Sequence, residues 1–190
     1  MNPLKNILFG KEYGIDSQIA FVGLANAGKT TIVKRIKGEE EIETKYVPTM
    51  GLSMETFKIK GMEVAAADLG GQKSFVDSFW KPFCKKSAAV VFVFDSADEK
   101  RVDEAGEALK YVLEWISDNC IFLFLANKMD LENALDLEEI ISRLKLKDLA
   151  KPHPFGIYQV SALKELGLED PINWLAEQLT KSSKISEDAI

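Results

Sequence analysis

The chain has 190 residues and a formal net charge of −6, from 24 basic and 30 acidic side chains. This length suits one domain with a sizeable core, and the acidic balance with scattered lysines and arginines argues against a nucleic-acid binder. Two isolated cysteines and one histidine are too few for a zinc site and indicate a reduced, cytoplasmic protein. We expect a monomer. No apolar run is long enough to cross a bilayer, and the first residues do not form a secretion signal.

Apolar runs alternate with helical patterns along the chain. The run at residues 18–24 ends in a glycine-rich loop, which helical spacing follows. The stretch SMETFKIKGMEVAAADLGG predicts two strands around a tight turn at Lys60-Gly61. AAVVFVFD and CIFLFLANK are typical of strands buried on both faces, and FGIYQVSA is a weaker third run. The helical patterns lie at residues 99–117, 137–144 and 171–179.

This order predicts an α/β fold, a three-layer sandwich in which helices flank a mostly parallel six-stranded sheet with one antiparallel strand. We expect the domain to span residues 17–181. An N-terminal amphipathic segment would occupy residues 1–12, and residues 182–190 would form a polar, disordered tail. Ligands in such folds bind at the carboxyl ends of the strands.

The glycine-rich loop has the spacing Gly23-x-x-x-x-Gly28-Lys29-Thr30, which matches the phosphate-binding loop GxxxxGK[ST] between a strand and a helix. Glycines let backbone N–H groups converge on an anion, and the helix adds its positive N-terminal end. Lys29 is expected to reach the β- and γ-phosphates and the Thr30 hydroxyl to bind Mg²⁺. Four specified positions in this setting disfavour a chance glycine-rich turn. The fold class is therefore that of a P-loop NTPase.

The sequence Asn127-Lys128-Met129-Asp130 follows directly after a buried strand. Asp130 can accept two hydrogen bonds from N1–H and the exocyclic amine of guanine, a donor pair that adenine lacks. The stem of Lys128 can lie along the base. With the phosphate loop upstream, NKMD predicts guanine, so the expected ligands are GTP or GDP with Mg²⁺.

Two further segments fit the phosphate end of such a ligand. In DLGGQ, Asp68 can hold Mg²⁺, the Gly71 amide can meet a γ-phosphate, and Gln72 can orient an attacking water. In PTMG, Thr49 can complete the Mg²⁺ shell. Gly70-Gly71 alone would indicate only a turn, and a lone Pro-Thr would be weak. SAL (residues 161–163) ends the last strand, where the Ala162 amide could touch the guanine oxygen; by itself this signal is very weak.

These motifs give a candidate site. The predicted catalytic residue is Gln72, and the predicted metal ligands are Thr30, Thr49 and Asp68. The predicted nucleotide contacts are Ala25, Asn26, Ala27, Gly28, Lys29, Thr30, Thr31, Thr49, Gly71, Asn127, Lys128, Asp130, Ser161, Ala162 and Leu163. Of these, Thr31 is also consistent with a structural helix position.

The sequence resembles the small GTPases of the Arf/Sar family over about residues 18–179. The shared features are GLxxAGKTT, PTxG, DLGGQ, DSADEKRVDEA, NKMD and INWLAEQL. GGQ is more like Arf, and the subfamily is left unassigned. The resemblance implies a GTP/GDP switch in membrane traffic or a related process, with an exchange factor, a GTPase-activating protein and effectors as partners. It also implies switch segments at about residues 44–53 and 68–81, and a hairpin between them that shifts register and releases an N-terminal amphipathic helix.

Three features of the sequence depart from the family pattern. Asn2 stands where many Arf proteins carry a myristoylated glycine, so that lipid is not expected. Ala25 replaces an aspartate that most members carry. Leu52, Ala67 and Pro82 align with an aromatic triad that contacts partners, so partner identity does not carry over. The sequence offers no obvious arginine in cis, which predicts slow intrinsic turnover that a partner arginine could raise roughly 10³–10⁵-fold.

The N-terminal segment has two readings. Leu4, Ile7 and Leu8 share a helical face with Phe9 beside it, and burial of each is worth at most about 1.5–3 kcal/mol. Such a helix either packs permanently on the domain or binds a membrane surface reversibly.

Three functions stay open on the residues alone. The first is a GTPase switch that hydrolyses GTP. The second is a guanine-nucleotide-bound interaction module with little turnover, in which Ala25 and the altered second switch segment misplace Gln72. The third, a small-molecule kinase with a P-loop, is disfavoured because it would not need NKMD.

Overall fold

The computed structural model describes residues 17–39, 49, 51–72 and 80–188, with side chains to residue 183. Six strands form one sheet in the order β2-β3-β1-β4-β5-β6, and every neighbouring pair is parallel except β2 with β3. The strands are β1 (Ser17–Val22), β2 (Leu52–Ile59), β3 (Met62–Leu69), β4 (Ala89–Asp95), β5 (Ile121–Asn127) and β6 (Phe155–Gln159). The predicted fold class, a P-loop NTPase sandwich with one antiparallel strand, is confirmed.

The helices in the described ranges are α1 (Lys29–Ile36), α2 (Lys81–Cys84), α3 (Val102–Trp115), α4 (Leu137–Leu144), α5 (Leu146–Leu149) and α6 (Glu169–Asp188). A 3₁₀ turn, Glu99–Arg101, leads into α3. Among these residues no helix combines the length and apolar character needed to cross a bilayer.

The last helix is longer than the sequence indicated. Helix α6 extends to Asp188, into the stretch 182–190 that was expected to be a disordered tail. Among its side chains that the structure describes, to residue 183, the last buried apolar one is Leu179. The residues after Leu179 include no glycine or proline, so nothing in the sequence stops the helix there.

Alternation along the strands divides the core between the two faces of the sheet. One face places Phe92 and Phe124 in a stack of rings beneath α3 and α4, with ring centroids 5.8 Å apart. The other face places Phe21 and Leu123 against α1 and α6. Because both faces are covered, the central strands are apolar throughout, which is why they appear in the sequence as uninterrupted runs.

The β2–β3 hairpin turns at the predicted pair. Lys60 (φ 47°) and Gly61 (φ 89°) both adopt left-handed conformations, which a two-residue turn of this twist requires. The turn pairs Ile59 with Met62 and brings β3 antiparallel to β2 and parallel to β1.

The position of β1 determines where the site forms. After β1 the chain runs first to one side of it, for β2 and β3, and then to the other, for β4 to β6. The loop that follows β1 therefore lies at the topological switch point, where the carboxyl ends of β1, β3, β4 and β5 meet.

Candidate functional site

Residues 23–30, here called the phosphate loop, have a backbone that only glycine permits at two positions. Gly23 (φ 139°) lies so close to β4 that an added Cβ would be 2.1 Å from the carbonyl oxygen of Val93. At Gly28 (φ 97°) a Cβ would be 2.2 Å from Asn127 Nδ2. The two glycines of the motif are thus explained by close approach as well as by dihedral angle.

Lys29 lies at the start of α1 and is folded back over this loop. Its Nζ donates to the carbonyls of Gly23 and Leu24, both at 3.0 Å, and the residue is only 6% exposed. Burial lowers the pKa of Lys29 to about 8, while the Asp68 carboxylate nearby opposes the shift. Because the Asp68 carboxylate does not fully offset the burial of this ammonium, a bound anion would stabilise its charged form, as the phosphate prediction requires.

The three predicted metal ligands converge from separate segments. Thr30 Oγ1 donates to Asp68 Oδ2 at 2.5 Å and lies 2.9 Å from Thr49 Oγ1, and Thr49 Oγ1 lies 3.5 Å from the same carboxylate oxygen. The other carboxylate oxygen, Oδ1, is buried, and the structure gives it no hydrogen-bond partner within the described residues. Burial raises the pKa of Asp68. Two hydroxyls and a desolvated carboxylate are a fitting oxygen set for Mg²⁺.

The Gly70-Gly71 segment, at the end of β3, lies directly on the phosphate loop. Ala25 N donates to the Gly71 carbonyl at 2.9 Å, and a Cβ on Gly71 would be 2.3 Å from that same nitrogen. Trp80, fully buried, donates from Nε1 to the Gly70 carbonyl at 3.0 Å. Gln72 follows, half-buried, as the last described residue before the segment 73–79. The predicted catalytic residue therefore directly follows the glycine that contacts the phosphate loop.

Asn127 joins two loops. Its Nδ2 donates to the carbonyl of Ala27 at 2.8 Å, and its Oδ1 accepts from the amide of Ala162 at 2.9 Å. All three residues are at most 3% exposed. The predicted base-binding and phosphate-binding segments are thus held together by one buried side chain. The amide that we assigned to the guanine oxygen is paired with Asn127 here, and its contact with guanine stays a prediction.

Lys128 pairs with a carboxylate that the sequence analysis did not identify. Lys128 Nζ lies 2.6 Å from Asp95 Oδ2, and Asp95 Oδ1 accepts from the amide of Ala97 at 3.1 Å. Asp95 is the last residue of β4 and Lys128 follows β5, so adjacent parallel strands bring the two together. The position of Asp95, at the end of a buried apolar run, was a usable signal.

The remaining predicted residues lie around this centre. Asn26 (φ 67°) is exposed in the phosphate loop, and Thr31 is half-buried on α1. Asp130 is half-buried in the turn after Asn127, Ser161 is fully buried, and Leu163 is 45% exposed.

Two arginines were also missed. Arg101, from the 3₁₀ turn, donates Nη1 to the carbonyl of Ala25 at 3.0 Å and pairs with Glu104 at 2.8 Å. An arginine does therefore lie at the phosphate loop, although none was evident from the sequence. Arg35, on α1, binds the loop that contains Ala162. The contacts of Arg101 with Ala25 and of Arg35 with Ala162 carry no local signal, since their acceptors are backbone carbonyls.

Comparison with known proteins agrees with this geometry. A family model described as the ADP-ribosylation factor family, Arf, matches residues 5–179. This chain belongs to the Arf family. It is 39% identical over 163 residues to ADP-ribosylation factor-like protein 2 of Dictyostelium discoideum, which covers 85% of this chain and 86% of the relative. It is 34% identical over 185 residues to ADP-ribosylation factor 3 of Arabidopsis thaliana, covering 96% of this chain and 100% of the relative.

A solved structure gives the same answer. The chain superposes with a TM-score of 0.77 and 30% identity on the Arl6 BBS3 small GTPase from Trypanosoma brucei, which was solved with the bound nucleotide analogue GppNp. The match covers 87% of this chain and 98% of that one. Arf-family proteins are guanine-nucleotide-binding GTPases, and this member is a GTPase of that family.

Proposed function

We propose that this Arf-family GTPase is a Mg²⁺-dependent GTP/GDP switch that recruits effectors to a membrane surface. The observation that carries the proposal is the convergence of Thr30, Thr49 and Asp68 on one point. Thr49 precedes β2 and Asp68 lies in β3, so one residue from each expected switch segment lies beside Thr30 at the start of α1. A change at the phosphate end of the nucleotide would act on both segments at once.

The phosphates would be held by this chain's own groups. Backbone amides of the phosphate loop and the Lys29 ammonium would bind the β- and γ-phosphates, and Thr30, Thr49 and Asp68 would hold the ion. When bound, Mg²⁺ would neutralise part of the phosphate charge. Asp130 would accept from guanine, and Lys128, held by Asp95, would lie along the base.

Hydrolysis is assigned to Gln72, which would orient the attacking water beside the γ-phosphate. Gln72→Leu should slow single-turnover GTP hydrolysis and keep GTP binding. Gln159→Leu, which alters a glutamine that donates to the Leu135 carbonyl at 3.4 Å, is the matched control. An unchanged rate in Gln72→Leu would show that the role is wrong. Phosphate release by the wild type separates a hydrolysing switch from the module with little turnover.

The membrane part of the proposal concerns the N-terminal segment at residues 1–12, which lies outside the described residues. The side chains expected to contact the membrane are Leu4, Ile7, Leu8 and Phe9. GTP-loaded protein should co-sediment with liposomes more than GDP-loaded protein, because the hairpin shift that the family resemblance implies would release the segment. Deleting residues 1–10 should abolish that difference. Equal sedimentation of both wild-type forms would contradict the membrane part and leave the GTPase assignment intact. An exchange factor, an activating protein and effectors remain the expected partners.

A further inference from the structure

Arg35 makes an unusual set of contacts for a residue on a helix surface. Its Nε donates to the carbonyl of Ala162 and its Nη2 to that of Leu163, both at 3.1 Å. Its Nη1 donates to the carbonyl of Glu39 at 3.1 Å and lies 2.7 Å from Glu165 Oε1. The side chain is only 11% exposed. One guanidinium therefore links helix α1, its C-terminal turn and the loop that follows β6.

The loop at residues 161–166 is shaped to receive that guanidinium. Its ends are closed by two backbone hydrogen bonds between Ser161 and Leu166, of 2.9 and 3.0 Å. Within this closed loop Glu165 adopts a left-handed conformation (φ 57°), and its carboxylate reaches Arg35. The same short loop thus presents two carbonyls and a carboxylate to one planar donor group. A lysine could not satisfy this set, because it lacks the fixed fork of donors.

The held peptide is the one that connects to the rest of the nucleotide site. Ala162 donates its amide to Asn127 Oδ1 and accepts from Arg35 on its carbonyl. Asn127 in turn donates to Ala27 in the phosphate loop. A hydrogen-bonded chain therefore runs from the phosphate loop through Asn127 and Ala162 to Arg35.

Helix α1 closes this chain into a ring. It begins with Lys29 and Thr30 at the phosphate end, and less than two turns later it carries Arg35 at the loop 161–166. One rigid helix thus fixes the spacing between the phosphate end and the base end of the site. Displacement of either end would therefore strain the hydrogen bonds at the other.

We propose that Arg35 is a positioning residue for guanine. It acts through the loop 161–166, holding the Ala162 peptide and Asn127 where the base binds, and Glu165 orients it. The inference rests on guanine-nucleotide binding, which is measured first on the wild type. Because GDP and GTP share the base, Arg35 governs the retention of both.

The experiment measures release of a fluorescent GDP analogue from the full chain. Arg35→Met, which keeps the apolar stem, should release GDP roughly 10- to 100-fold faster than the wild type, because several charge-assisted hydrogen bonds are lost. Arg35→Lys should give an intermediate rate, and Glu165→Gln a smaller rise. Release of a GTP analogue should accelerate by a similar factor. The matched control is Arg143→Gln, an exposed arginine that pairs with Glu99 and Glu139 away from the loop.

A second readout separates positioning from general destabilisation. The rise in unfolding midpoint caused by saturating GDP should shrink in Arg35→Lys and stay at the wild-type value in Arg143→Gln. Release from Arg35→Lys within about twofold of the wild type, with an undiminished GDP-induced shift, would overturn the role of Arg35. If Arg35→Met fails to fold, Arg35→Lys and Glu165→Gln decide the question. Failure of the wild type to bind GDP would instead count against nucleotide binding itself.

Discussion

Replacing Asn127 by alanine should destabilise the fold even without nucleotide. The substitution removes two hydrogen bonds of 2.8 and 2.9 Å and leaves the Ala27 carbonyl and the Ala162 amide without that partner. Both of those residues are 1% exposed, so water does not readily replace the lost side chain. A buried polar group left unpaired costs about 1–3 kcal/mol. We therefore expect a loss of about 2–6 kcal/mol in the free energy of unfolding, a large part of the roughly 5–15 kcal/mol typical of a domain.

The assay must separate this loss from weaker nucleotide binding, since bound GDP itself stabilises the folded state. Urea unfolding is followed at several GDP concentrations, and the free energy is extrapolated to zero GDP. Asn133→Ala is the matched control: Asn133 also donates Nδ2 to a backbone carbonyl, that of Ala97 at 2.9 Å, but it is exposed. It should cost no more than about 1 kcal/mol.

The reasoning fails if Asn127→Ala lowers the extrapolated free energy by no more than Asn133→Ala does. That result would mean that the two loops are not held together by this side chain. A loss that grows as GDP is added would show a further contribution of Asn127 to nucleotide binding.

Three other substitutions test the phosphate end. Gly71→Ala should weaken GTP-analogue binding and shift the Gly70-Gly71 segment, because its Cβ would meet the backbone of Ala25 at 2.3 Å. Affinity equal to the wild type in calorimetry would contradict this. The control is Gly106→Ala on α3, whose Cβ would meet only a side-chain atom of Leu144, at 3.2 Å. Burial lowers the pKa of Lys29 from 10.5 to about 8. Below pH 8 the charged Lys29 therefore destabilises the folded state, and the free energy of unfolding should rise by up to about 3 kcal/mol between pH 8 and pH 10.5. Nucleotide-free Lys29→Met should lack that pH-dependent gain, and parallel curves for the two proteins would refute the shift. Arg101→Gln should weaken GTP-analogue binding roughly 2- to 10-fold, because it removes one hydrogen bond to the phosphate loop and one nearby positive charge. Lys110→Gln, which breaks a comparable (i, i+3) ion pair, should leave that affinity unchanged.

Most of the fold could be predicted because its signals are local. Continuous apolar runs identified the buried strands, and Lys60-Gly61 identified the hairpin turn. Helix α4 matched its predicted bounds, and its start is marked in the sequence: Asp136 Oδ1 accepts from the amide of Glu138 at 2.9 Å. It ends at Lys145 (φ 52°), in a left-handed conformation that a lysine does not signal. The end of α6 was misjudged because polar composition does not by itself stop a helix.

The candidate site also contains residues that local motifs predict and residues that they do not. Each predicted cluster rests on a motif whose residues are neighbours in sequence, and parallel strands then bring the motifs to one edge of the sheet. Asp95 could have been predicted in the same way, because it is the polar last residue of a buried strand. Arg35, Arg101 and Trp80 were not, because each acts across the fold on a carbonyl that any residue supplies.

This difference changes the meaning of Ala25. The sequence analysis drew attention to its side chain, because the family pattern that the sequence resembles has an aspartate there. In the structure the groups that Ala25 contributes are backbone: its carbonyl accepts from Arg101 and its amide donates to Gly71. An alanine supplies both as well as an aspartate would, so the contact with Arg101 needs no acidic side chain at this position. What the missing carboxylate does change is the local charge, because Arg101 is left to pair with Glu104 alone among the ion pairs described for it. The phosphate loop is therefore more positive than it would be with aspartate, and this charge favours retention of bound GDP. We predict that Ala25→Asp speeds GDP release. Equal release rates for Ala25→Asp and the wild type would show that the charge of this residue is immaterial.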